Sequence, residues 1–97
     1  MKRSIKTKSK IIKTEEKVNQ GFFYKYDLIE SESQRVCSYR MPLYSIRVEL
    51  RDTDGNESRA TTKEIFADFG KAFSFFTRLV KNLVTPIDLP YIVEDEL

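Results

Sequence analysis

Polar and apolar residues alternate most cleanly between Tyr44 and Arg51. Tyr44, Ile46, Val48 and Leu50 point one way, and Ser45, Arg47, Glu49 and Arg51 the other, which is the period-2 signature of a half-buried strand. A second alternation, Tyr24, Tyr26 and Leu28 against Lys25 and Asp27, predicts another strand after Gly21. The polar residues 30–34 between them read as a turn. Residues 35–41 alternate less cleanly, through Val36, Cys37, Tyr39 and Met41. Pro42 cannot donate to a ladder and so marks a strand start, an edge or a bulge. Asp52-Thr53-Asp54-Gly55-Asn56 supplies the Asp-Gly pair that hairpin turns require. Residues 57–62 then return as a polar strand, at an edge or half exposed.

Beyond Thr62 the period lengthens. Phe69, Ala72, Phe73, Phe76, Val80 and Leu83 recur at spacings of three and four, with Leu79 beside them. At 100° per residue they form one helical stripe, opposite Lys71, Ser74, Thr77, Arg78, Lys81 and Asn82. The predicted helix covers about 66–84, with Asp68 as N-cap and Pro86 as its stop. Phe75 lies at the margin of the stripe. Asp88 reads as the N-cap of a short C-terminal helix with Pro90 in its first turn, docked by Leu89, Ile92, Val93 and Leu97. Glu94, Asp95 and Glu96 oppose the dipole at that helix's end, which should fray or be held by basic residues elsewhere. Before Gly21, the isolated Ile5, Ile11, Ile12 and Val18 make no face. Residues 1–20 are therefore expected to be a flexible basic arm, with a short helical or extended piece near Ile11–Val18 as the alternative, ahead of a single domain, 21–97. The expected fold is α+β, a three-stranded antiparallel meander packed against one amphipathic helix.

The last sixteen residues, Asn82-Leu83-Val84-Thr85-Pro86-Ile87-Asp88-Leu89-Pro90-Tyr91-Ile92-Val93-Glu94-Asp95-Glu96-Leu97, resemble a family signature. The family is a domain-of-unknown-function family of small proteins from clostridia and related Firmicutes. Its members end in Asn-x-Val-Thr-Pro-x-x-Leu followed by Val-Glu-Asp-x-Leu. They also carry a Tyr-x-Ile/Val-x-Val strand, a turn and a helix, which here look like Tyr44-Ser45-Ile46-Arg47-Val48, Asp54-Gly55 and residues 69–83. The likeness runs from about residue 22 to 97, and Tyr91-Ile92 departs from the Asp-Val of the pattern. It implies a fold and a bacterial origin and no activity.

Composition narrows the chemistry. The chain has 97 residues, one Cys and no His, so the commonest general base and metal ligand is missing. Cys37 has no His to activate it and reads as a packing residue. No zinc spacing or phosphate-binding glycine motif occurs. Asp52-x-Asp54-Gly55-Asn56 superficially resembles a calcium loop, but Lys63 stands where the twelfth-position Glu belongs, and a plain turn is expected. The carboxylates at 94–96 are expected to be solvated or paired with Arg47, Arg51, Arg59 or Arg78. No catalytic, cofactor-binding or metal site is therefore assigned, and an enzyme is not expected. Without a transmembrane run, a signal-peptide core or a second Cys, a cytoplasmic protein is expected.

Charge is uneven. Residues 1–20 hold seven Lys or Arg against two Glu, a net +5, whereas the remainder holds ten against thirteen, a net −3. Lys2, Arg3, Lys6, Lys8, Lys10 and Lys13 are thus the candidate contacts to nucleic acid, which the absence of interleaved aromatics makes the secondary reading. The aromatics exceed what one strand face and one helix stripe consume, which points to a partner or dimer surface with Phe75 and Tyr91 as its candidates. The leading expectation is a small protein-interaction or regulatory module that takes an unknown protein partner or a second copy of itself.

Overall fold

Tyr44, Ile46 and Val48 become the centre of a four-stranded antiparallel sheet, whose order is that of the chain. The computed structural model describes residues 9–36, 39–63 and 66–96. Its strands are β1 (Ser9–Asn19), β2 (Phe22–Val36), β3 (Tyr39–Arg51) and β4 (Glu57–Thr61), followed by helices α1 (Phe69–Lys81) and α2 (Leu89–Glu96). The α+β class is as expected, with four strands in place of three.

The additional strand is β1. Residues 9–19 of the presumed arm pair with β2 in continuous register, from Ser9 opposite Ser31 to Asn19 opposite Phe22, interrupted by one irregularity between Ile11 and Lys13. The connection is a two-residue turn in which Gln20 (φ 51°) and Gly21 (φ 84°) both adopt the left-handed region, as a type I′ hairpin turn demands. Gly21 tolerates this freely, whereas Gln20 does not. Gln20→Asn is expected to stabilise the protein by about 0.5–1 kcal/mol, because Asn-Gly is the favoured I′ pair. The urea midpoint should rise with an unchanged slope.

Residues 30–34, expected as a turn, continue β2, with Glu30 opposite Tyr44 and Ser33 opposite Met41. Backbone pairing to β3 sustains this stretch without a repeating apolar face. Pro42 lies opposite Glu32, beyond the last β4 partner of β3 at Arg47, so its missing N–H falls where β3 is paired on one side. Asp52 builds the β3–β4 turn. Its carboxylate accepts from the backbone N–H of Asp54 and Asn56, both at 2.9 Å, and from the Asn56 side-chain amide at 3.1 Å. The amide and backbone bonds together hold its pKa below the ordinary value. These oxygens are occupied by the turn itself, the plain-turn reading of the Asp-x-Asp-Gly-Asn sequence.

Asp68 caps α1, accepting from the Lys71 N–H at 2.8 Å. The buried stripe is Ala72, Phe75, Phe76, Leu79 and Val80. It is rotated by roughly 50° from the one the spacing predicts, at 100° per residue. Phe69 and Phe73 are left 48% and 39% exposed, and Phe75 is 2% exposed. The entry to the helix sets this rotation. Phe66 bridges to Tyr44 through two backbone hydrogen bonds, and its ring meets Phe75 at 5.3 Å, pulling the Phe75 flank onto the sheet.

The stop of α1 lies before Pro86. Leu83 turns left-handed (φ 51°), its N–H reaches Val80 O, and the Val84 N–H reaches Leu79 O. This is a Schellman motif with its accompanying apolar contact, Val84 and Leu79 both being buried. The residue capping the next turn is Thr85. Its hydroxyl and carbonyl both accept from the Asp88 N–H, with Pro86 placed where an absent donor is harmless. Asp88, expected as the cap, contributes its carbonyl to Tyr91 and Ile92.

Helix α1 packs on β2 and β3, and α2 on β4. Together they cover one sheet face, whose core comprises Tyr24, Tyr26, Leu28, Tyr44, Ile46 and Val48 against the α1 stripe and Leu89. Ile92 and Val93 are partly buried against it. No helix among the described residues is long and apolar enough to cross a membrane.

Candidate functional site

The sheet face away from the helices is built in rows, because directly opposed residues on neighbouring strands share a side. Across the four strands one row reads Glu16, Lys25, Glu49, Arg59, so each charge stands opposite its counter-charge. Arg59 meets Glu49 at 3.0 Å. The next row reads Thr14, Asp27, Arg47, Thr61. Asp27 is 0% exposed although it lies on this outer face. Its Oδ1 accepts from the Thr14 hydroxyl at 2.8 Å, and its Oδ2 from Arg47 Nε at 3.1 Å and Nη2 at 2.8 Å. A third row adds Arg51, which stacks on Phe23 at 5.5 Å and pairs with Glu57.

Twist makes part of this face concave, with a volume of about 680 Å³ lined by residues that include Phe23, Lys25, Glu49, Arg51 and Arg59. Its acids and bases neutralise one another. Among the described residues no group of three or more His, Cys, Asp or Glu is disposed to hold a metal ion.

The covered face offers a different surface. Because α1 lies mainly over β2 and β3 and α2 over β4, the helical layer leaves most of β1 as an open ledge, with Ile12 partly buried against the core. Its residues on this side include Lys13, Glu15 and Lys17, opposite Leu28, Tyr26 and Tyr24. Lys13 and Glu15 pair along the strand at 3.1 Å. Phe75 faces Phe66 on the β4 side, and Phe73 lies about 160° around the helix from Phe75. The Phe69–Phe73 flank is therefore turned away from the β4 side. The rings of Phe69 and Phe73 stack at 5.7 Å, and Phe69 meets Tyr44 edge-on at 5.7 Å. Tyr44 is buried and donates to Glu30 at 3.0 Å. Burial first and that bond second push its hydroxyl pKa up. Glu30 also meets Lys10 of β1 at 3.8 Å.

The candidate residues fall in different places. Phe75, expected at a partner surface, is a core residue, because the helix is rotated to bury it. Tyr91 is 67% exposed on α2. Lys10 and Lys13, expected on a flexible arm, lie on β1 beside Glu30 and Glu15. Lys2, Arg3, Lys6, Lys8, Cys37 and Leu97 lie outside the described residues. Arg47, Arg51 and Arg59 pair with Asp27, Glu57 and Glu49. Phe22 and Phe23 of β2 are exposed too, as are Phe69 and Phe73, which the spacing places in the core. Their four-residue interval identifies a shared flank but not its orientation.

The terminal segment that looks like a family signature has an architectural task. The buried hydroxyl of Tyr26 donates to the Val84 carbonyl at 2.9 Å, across 58 residues, and burial raises the Tyr26 pKa strongly. Val84 completes the α1 stop, Thr85 caps the next turn, Pro86 is buried and Leu89 enters the core. Val84-Thr85-Pro86-x-x-Leu89 thus joins the two helices and locks the joint to the central sheet. No curated protein and no solved structure matches the chain. The sheet and the locked terminal segment both fall within residues 5–97, the span matched by the model of DUF6514, a family of unknown function, and the chain belongs to that family.

Proposed function

We propose that this protein is a non-catalytic protein-interaction or regulatory module that makes contact through the Phe69–Phe73 flank of α1. The observation that carries this reading is two large aromatic rings, stacked on each other and left 48% and 39% exposed on the flank of α1 turned away from β4. Rings in such a position are the kind of anchor that concentrates binding energy at interfaces. The opposite sheet face pairs its charges internally, which leaves few of them to recognise a charged substrate.

The test is affinity capture from the source cell with the wild-type chain and with Phe69→Ser/Phe73→Ser as baits. Circular dichroism would establish that both are folded. A specific protein, a second copy of this chain included, should be retained by the wild type and lost from the variant. Identical capture by both baits would refute this flank as the contact.

A further inference from the structure

We propose that β1 pairs antiparallel with β1 of a second copy, with the twofold axis at Thr14, joining two four-stranded sheets into one of eight. This rests on the interaction reading above and names its partner. Among the described residues β1 is an edge strand eleven residues long, whose outward N–H and C=O groups template another strand. Lysines on an edge ordinarily oppose such pairing, so the distribution of charge decides the register. If both helical layers are to stay on one side, the axis must pass through a residue, which then faces its own copy. In the regular segment that follows Ile12, an axis at Lys13, Glu15, Glu16 or Lys17 sets like charges directly opposite, and one at Val18 overlaps only the end of the strand. An axis at Thr14 sets Thr14 against Thr14, Lys13 against the partner's Glu15, and Glu15 against the partner's Lys13.

The same axis is the midpoint of Ser9–Asn19, so the two strands overlap end to end, in regular register from Lys13 to Glu15 and past the irregularity at Ile12 beyond it. Opposite charges and Thr–Thr pairs are favoured cross-strand neighbours. Ile11 and Val18, both exposed on β1, come to lie at the joint. On the helical side the two β1 ledges merge into one trough floor, and the Phe69–Phe73 flanks of the two copies face each other across it.

Light scattering coupled to gel filtration, run on the full chain from micromolar to millimolar concentration, tests this. The mass should rise to about twice 11.4 kDa. Lys13→Glu or Glu15→Lys alone places two like-charged pairs at the joint and should weaken the dimer by roughly tenfold or more. The double reversal Lys13→Glu/Glu15→Lys should restore it to within about threefold. Independently, Thr14→Cys in a Cys37→Ser background should cross-link to its own copy under mild oxidation. Facing Cα atoms in antiparallel strands lie at about 4.5–5.5 Å, within disulfide reach. A monomer at every concentration, a dimer indifferent to both single reversals, or failure of Thr14→Cys to cross-link would overturn the proposal. Loss of a different captured protein from the Phe69→Ser/Phe73→Ser bait would leave the interaction reading standing in each of those cases.

Discussion

Phe75→Ala is expected to destabilise the protein by about 3–5 kcal/mol, and Tyr91→Ala by less than about 0.5 kcal/mol. Composition and spacing treat the two residues alike, as aromatics surplus to the core. The structure separates them. Phe75 sits at 2% exposure with its ring against Phe66 and the Arg78 guanidinium at 5.5 Å over it. Its removal leaves a cavity beneath α1 that the capped helix cannot close by sliding. Tyr91 is 67% exposed on α2. A domain of this size has about 5–15 kcal/mol in all, so Phe75→Ala should sit near its unfolding midpoint. Phe75→Leu supplies a milder variant whose urea transition can be fitted. Comparable small effects at the two positions would mean that α1 is turned the other way, with Phe69 and Phe73 inward.

Arg47→Ala should be more damaging than Asp27→Ala, although each removes one half of the same pair. Without Arg47, a carboxylate at 0% exposure keeps only the Thr14 hydroxyl, and a loss of about 3–5 kcal/mol is expected. Without Asp27, the guanidinium is already 26% exposed and has Glu49 at 3.7 Å. It can turn to water and to that neighbour, which limits the loss to about 2–3 kcal/mol. Asp27→Val/Arg47→Val should recover most of the stability, since both buried charges leave together and branched residues suit opposed strand positions. A double-mutant cycle measured by chemical denaturation, repeated in high salt, checks this. A coupling that vanishes with salt would place the pair in solvent instead.

Several features were readable in the chain because they depend on neighbours a few residues away. The alternation from Tyr44 to Arg51, the Asp52–Asn56 turn, the Asp68 cap and the existence of α1 are of this kind. The terminal family pattern was readable too, as a helix stop and a core-docking segment, whereas its anchoring to Tyr26 spans 58 residues and was not. β1 was readable only as an optional extended piece near Ile11–Val18. Beyond Ile12, which packs on the core, its inner positions are the polar Lys13, Glu15 and Lys17, so no apolar period is written into it. A left-handed Gln20 hides its turn from a search for Asn-Gly or Asp-Gly. β2 likewise extends through the polar residues 30–34, held by pairing with β3.

The candidate site shows the same division. An aromatic flank was visible as an interval of four between Phe69 and Phe73, and the surplus of aromatics announced that some rings would remain outside. Which rings remain outside was decided by the Tyr44–Phe66 bridge, a contact between residues 22 positions apart that sets the rotation of a helix beginning three residues later. By itself, then, the sequence determined the α+β class, the Asp52–Asn56 turn, the Asp68 cap and the family, all of which follow from local conformational preference and residue spacing. Only the tertiary structure decided the fourth strand, the buried pair of Asp27 and Arg47, and the face that α1 presents, because each depends on which strand or helix lies alongside.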